Sequence, residues 1–210
     1  MDHPTIYRLI VLRTYGIFRY RLHPIKGSAR CLCPKRAPLW LLIFFLLPAQ
    51  AGSSNGIEPF SADYAITRSG LNIERKVELT RSGQHYHLIA STRLKGLGSL
   101  TGIGTVVEQS YFQLHSGRIR PNLYTVDDGT KDSNRAIRIE FDWSSGTSRV
   151  HYRGIELTMP LKPNVLDPLS FELMARIDLQ RGVTEPLYTV HEGDQLRPYQ
   201  FVLEQAETVI

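Results

Sequence analysis

Carboxylates set beside a histidine could do acid–base chemistry in this chain, and Asp127, Asp128, Asp142 and His151 are the residues that would supply it. Hydrolysis would need them within hydrogen-bond reach of one another in a cleft. Each also has a plainer place in the sequence. Asp127-Asp128-Gly129 reads as a turn, Asp142 leads into Ser144-Ser145-Gly146, and His151 stands between Arg149 and Arg153 in polar alternation. His85 and His87 flank Tyr86, so on a strand both point to one face, where paired histidines can chelate a metal. No third ligand accompanies them. Ser91 and Arg93 share that face, interrupted by Ile89, so it reads as solvated and the expected metal set is empty.

Other constellations fail on spacing. Asp127-Asp128-Gly129-Thr130-Lys131-Asp132 has no glutamate where the twelfth position of a calcium loop falls, and a hairpin turn is the better reading. Gly96-x-Gly98 and Gly102-x-Gly104 lack the lysine-threonine ending and following helix of a phosphate loop. No G-x-S-x-G elbow exists. Cys31-x-Cys33 is not C-x-x-C and has no neighbouring ligands. The expectation is therefore a protein without enzymatic activity, cofactor or metal.

The elements that position these residues are strands. Phe60, Ala62, Tyr64 and Ile66 alternate with polar residues, as do Leu71, Ile73, Val77 and Leu79. Ile137, Ile139, Phe141 and Trp143 do so most clearly. Such alternation marks strands with one wet and one buried face. Glycine-ended turns at Arg68-Ser69-Gly70, Arg81-Ser82-Gly83, His115-Ser116-Gly117 and Ser144-Ser145-Gly146 separate them. The pattern predicts about nine strands, near 59–67, 71–80, 85–94, 105–114, 119–127, 135–143, 147–153, 186–192 and 197–205. Residues 155–159 continue or pair with the strand near 150. One helix interrupts the series. Asp167 is a good N-cap, Pro168 a good first helical residue and Gly182 a good C′ residue, with Leu169, Leu173, Ile177 and Met174 as the apolar stripe. The stretch 95–104 reads as a loop or a short helical turn.

The predicted fold class is mainly β: a single strongly curved antiparallel sheet or β-roll, a partly open barrel, with one α-helix near 167–181. Aromatic residues recur on its strands. Tyr64, Tyr86, Phe112, Tyr124, Phe141 and Trp143 are the candidate ligand-binding residues, able to line an apolar cavity with the helix as a lid. Ordinary core packing explains the same aromatics at least as well, because strands favour them.

Lys35 to Gly52 has a basic pair, an apolar run from Leu39 to Leu47, and Ala49-Gln50-Ala51 before Gly52. That is the order of a secretory signal, with cleavage near 51/52. Residues 1–51 then form a leader, 52–58 a short linker and 59–210 a single domain. The run is short for a membrane span, which takes roughly 20 residues, so contact with the inner membrane is expected to be transient. The alternative is an anchor formed by an uncleaved signal. Eight of the 25 Lys/Arg and one of the 20 acids fall in residues 1–51, leaving 17 basic against 19 acidic residues. The formal charge of +5 therefore becomes about −2, and nucleic acid loses its electrostatic support as a partner. Both cysteines lie upstream of the apolar run, so the exported part would contain no disulfide.

Pro59-Phe60-Ser61-Ala62-Asp63-Tyr64, Gly70-Leu71, Gly117-Arg118-Ile119-Arg120-Pro121, Phe141-Asp142-Trp143 and above all Leu166-Asp167-Pro168-Leu169-Ser170 together resemble the DUF 3108 family, bacterial exported proteins with a domain of unknown function. The resemblance covers nearly all of 58–205. It implies a periplasmic, mainly antiparallel β protein and carries over no catalytic residues. Members of that family run on past the Tyr199-Gln200-Phe201 strand, whereas this chain stops at Ile210, which reads as a C-terminal truncation. The leading functional expectation is a periplasmic, non-enzymatic protein holding a lipid-like or other apolar ligand. The second is an envelope protein-interaction or structural module, and the third a hydrolase.

Overall fold

The computed structural model describes residues 5–13, 16–21, 56–68, 71–96, 104–130 and 135–208. The apolar run Leu39–Leu47, the 51/52 cleavage position, Cys31 and Cys33 lie outside the described residues, as does most of the stretch 95–104.

Strands β1 (Thr5–Arg13) and β2 (Gly16–Arg21) come first in the chain. They are followed by β3 (Phe60–Arg68), β4 (Leu71–Ser82), β5 (His85–Lys95), β6 (Val106–His115) and β7 (Arg118–Asp127). Then come β8 (Ile137–Asp142), β9 (Thr147–Tyr152), β10 (Ile155–Pro160), helix α1 (Ser170–Gln180), β11 (Leu187–His191) and β12 (Leu196–Thr208). Strands β3 to β10 form an eight-stranded antiparallel meander in chain order, which is not closed into a barrel. The mainly β class with one helix stands. The two C-terminal strands, however, do not continue the meander. They pair with each other in a second sheet of order β11-β12-β1-β2, tied to the helix approach by a parallel bridge between Leu166 and Val190. Strands β1 and β2, within the expected leader, therefore extend this sheet, β1 against β12 and β2 against β1.

Alternation gives the meander its two faces. Val77 and Leu79 on β4, Tyr86, Leu88 and Ala90 on β5, Phe112 on β6, Tyr124 on β7, Ile139 and Phe141 on β8 and Val150 on β9 are buried on the inner face. Their cross-strand register keeps them there: Leu79 faces Leu88, Tyr86 faces Phe112, and Ile139 faces Val150. A bulge on β7 corrects the one place where strict alternation would fail. Tyr111 faces Leu123 while Phe112 faces Pro121, so Asn122 is the extra residue. Pro121, which has no N–H to give the ladder, is tolerated at this bulge, and its carbonyl accepts a 2.6 Å bond from Trp143 Nε1.

Phe171, Leu173, Met174, Ala175 and Leu179 of α1, with Val165, Leu166 and Leu169 ahead of it, cover the inner face. The helix is shorter than the 167–181 expectation because 168–169 form a turn before Ser170. Asp167 still caps it. Its Oδ1 accepts from the Leu169 and Ser170 amides at 2.9 and 2.7 Å, and Ser170 Oγ accepts from the Asp167 amide at 3.1 Å. At the far end Gly182 has φ +83°, and the bonds Gly182 to Leu179 and Val183 to Asp178 close the helix in a Schellman motif.

Candidate functional site

The inner face of the meander, covered by α1, is the candidate site. All six aromatic candidates have their backbones on it, in two groups. Tyr86 and Phe112 stack at 5.2 Å between ring centroids, with Tyr124 on the next strand. Phe141 and Trp143 stack at 6.2 Å toward β9. Tyr86, Phe112, Tyr124 and Phe141 are buried, whereas Tyr64 and Trp143 are half-buried at its margins. Much of this surface is covered by the protein itself, so a ligand would reach the buried aromatics only if α1 moved.

Among the described residues, polar side chains interrupt the inner face in three clusters, built around Ser110, Ser148 and Arg75. Ser110 on β6 faces Leu88 and Tyr124, and its Oγ donates to Asp167 Oδ2 at 2.6 Å. Asp167 thus joins the helix N-terminus to the sheet. It has no exposed surface, and burial raises its carboxyl to about 6 against the pull of the Ser110, Ser170 and Leu169 hydrogen bonds.

Ser148 on β9 meets His191 of β11 at 2.7 Å from Nε2. Ser148 also donates to the Met159 carbonyl at 3.4 Å, so the arrangement that satisfies most groups has His191 donating from Nε2. His191 Nδ1 then faces the interior as an acceptor, unpartnered among the described residues. Burial pushes this imidazole down to about 4, and Phe141 meets its ring edge-on at 5.7 Å. A serine proton already given to a carbonyl, and a histidine with no carboxylate behind it, do not make a nucleophile and base.

The third interruption is Arg75 on β4, one strand in from the β3 edge of the meander. Its Nη1 donates to Glu108 at 2.9 Å and Thr92 at 3.3 Å, and its Nη2 meets Glu172 of α1 at 3.3 Å. Tyr124 donates to the other Glu108 oxygen at 3.0 Å. Burial, assisted by the Glu108 charge, raises the Tyr124 phenol well above its ordinary value, so it stays a donor. Tyr64 lies directly across from Arg75 in the β3–β4 ladder.

The acid and histidine candidates do not converge. Asp127 and Asp128 fold back onto the turn amides of Gly129 and Thr130, and Asp128 pairs with Arg135 at 2.6 Å. Gly129 (φ +71°) sits against the Gly104 backbone, where a Cβ at either position would collide. Asp142 accepts from Ser144 and Ser145 in the β8–β9 turn, which lowers its carboxyl to about 2. His151 pairs with Glu156 at 3.0 Å on the outer face. It lies opposite Arg138, four residues from Asp142, roughly 13 Å along the strand. That outer face holds a shallow cleft of about 240 Å³ lined by Arg138, Glu140, Arg149, His151 and Glu156. His85 and His87 also face outward, bonded to Gln113 and Gln109, and His87 stacks on Tyr111 at 4.2 Å. No group of three metal-ligating side chains occurs among the described residues.

Sequence reasoning missed Arg75, Glu108, Ser110, Ser148 and His191 as inner residues, and took Asp167 as a cap alone. A signal was present. Arg75 falls between Ile73 and Val77 in the apolar phase of β4, and Ser110 shares a phase with Phe112.

A family model described as "Protein of unknown function (DUF3108)" matches residues 60–210. No curated protein and no solved structure matches the chain.

Proposed function

The chain belongs to the DUF3108 family, and on that premise we propose that it is an exported, periplasmic, non-enzymatic protein that binds an apolar, lipid-like ligand against the inner face of the meander, with α1 as a movable lid. The observation that carries this reading is how α1 is held. Asp167–Ser110 and Arg75–Glu172 attach its first half to the sheet. At its other end Tyr188 donates to Asp178 at 2.8 Å. Hydrogen bonds to carboxylates of this kind are each worth about 1.5–3 kcal/mol net because water replaces them on opening, so they can open and reform. Beneath them lies an aromatic and aliphatic surface suited to an acyl chain.

The signal-like order of Lys35–Gly52 supports export. Absence of a converging acid–histidine set among the described residues favours binding over hydrolysis. Native mass spectrometry of the purified full chain, with a neutral apolar fluorescent dye as probe, tests the proposal. Co-purifying lipid or saturable dye binding at micromolar concentration is expected. Neither appearing, from a folded protein, would overturn it.

One observation favours a second reading, an envelope interaction module. Strands β3 and β10 end the meander without a further neighbour in it, and β10 exposes Ile155. Such edges can accept a strand from another protein. Crosslinking in the envelope that returned no reproducible partner through β3 or β10 would remove this reading.

A further inference from the structure

Arg75 is misplaced for a residue whose only task is stability. It stands in the apolar phase of β4, across from Tyr64 and two residues from buried Val77. Only 19% of its side chain is exposed. Its guanidinium has two working ends. The Nη1 end is fixed to the sheet by Glu108 and Thr92, and Glu108 is held in turn by Tyr124. The Nη2 end points to α1, where Glu172 meets it at 3.3 Å. The two carboxylates differ in kind. Glu108 is 18% exposed and belongs to the same sheet, whereas Glu172 is 50% exposed and rides on the helix.

Movement of α1 would therefore remove one acceptor from Arg75 and leave the other. A half-buried guanidinium would then present an unfilled donor edge beside an aromatic surface. A planar guanidinium edge favours carboxylate and phosphate oxygens. For an amphiphile, the tail side begins at Tyr64 and Val77, and the head side ends at solvent beside Glu172.

We propose that Arg75 is the head-group anchor of the site, occupied in the closed protein by Glu172 as an internal substitute for the anionic head of an amphiphile. This inference rests on the lid reading of α1 and narrows its ligand to amphiphiles with a carboxylate or phosphate head. Glu108 and Thr92 keep the guanidinium aimed while the occupant of its second end changes. Helix closure and head-group binding then compete for the same nitrogen. Arg176, whose guanidinium lies 5.0 Å from the Phe60 ring centroid, adds a second positive charge on the same side of α1.

The test is displacement of the neutral dye from the full chain by oleate, oleyl phosphate and the neutral mono-olein. Wild type is expected to bind the two anionic amphiphiles about tenfold more tightly than mono-olein. Arg75→Gln should erase that difference. Glu172→Gln, at a half-exposed position, removes a lid attachment and so should tighten all three ligands, the two anionic ones several-fold more than mono-olein. The ratio of oleate to oleyl phosphate separates a carboxylate from a phosphate source. Equal affinities for all three in wild type, or an unchanged ratio of anionic to neutral affinity in Glu172→Gln, would overturn the anchor while leaving the lid reading standing. Failure of the dye and all three amphiphiles to bind would bring down the lid reading, and the anchor with it.

Discussion

Two serines on the inner face of one sheet are held by opposite chemistries. Ser110 donates to the carboxylate of Asp167 at the start of α1, and Ser148 is joined to the imidazole of His191 on β11. Both partners have no exposed surface, and burial acts on both against the charged form. For an acid this raises the carboxyl to about 6, and for a base it lowers the imidazole to about 4. The same physical cause gives opposite pH behaviour. Asp167 contributes stability that is complete below its ordinary value of 3.8 and lost as pH rises through about 6. His191 contributes stability that is complete above 6.5 and lost as pH falls through about 4. Their windows overlap between pH 4 and 6, where the two contributions, each about 3 kcal/mol, largely cancel. On acidification Asp167 adds stability by shedding a buried charge, while His191 takes stability away by gaining one.

The largest break in this comparison comes from removing one partner altogether. Asp167→Ala deprives Ser110, two helix amides and the turn of their acceptor, and should cost about 3 kcal/mol in urea unfolding at pH 7. A loss below about 1 kcal/mol would mean the carboxylate contributes little to holding α1.

Separating the two titrations comes next. Asp167→Asn should lose stability steadily from pH 6.5 to 4, by up to about 3 kcal/mol, because only the His191 limb remains. His191→Gln should show the reverse, gaining stability over the same range. Parallel curves for the two variants would refute the opposed signs.

Serine deletions sharpen the comparison on a smaller scale. Ser110→Ala and Ser148→Ala should each cost about 1–2 kcal/mol. Only Ser110→Ala should move the carboxyl of Asp167, and upward, since it removes a hydrogen bond that favours the ionised form. Carbon-13 NMR of that carboxyl reads the change. The smallest effect belongs to the outer face, where His151→Ala should stay within about 0.5 kcal/mol of wild type at pH 7.

The elements of this fold were legible because a meander with one wet face writes itself as period two. Ile137, Ile139, Phe141 and Trp143 announce β8, and Asp167, Pro168 and Gly182 announce both ends of α1. What alternation could not show is which sheet a strand joins. Residues 187–208 alternate like the rest, yet they pair apart from the meander, a choice set by packing on Leu166 and Phe171. The polar interruptions were visible as letters but not as partners. Arg75, Ser110 and Ser148 occupy apolar phases, and their partners Glu172, Asp167 and His191 lie 97, 57 and 43 residues away. Nothing local in the chain links such pairs. Period two places the aromatic candidates on strands, but it cannot say which of them the helix buries and which stay half-buried.

The movable lid is the claim on which the functional account turns, and hydrogen exchange of the α1 amides, followed with and without oleate at pH 7, tests it most directly. The account predicts that Phe171–Gln180 exchange through an opening several kcal/mol easier than that of Leu88, Ile139 and Val150 in the sheet, and that oleate changes the exchange of α1 with little effect on those strands. Exchange of α1 only through the same global unfolding as the sheet, unaltered by oleate, would contradict it.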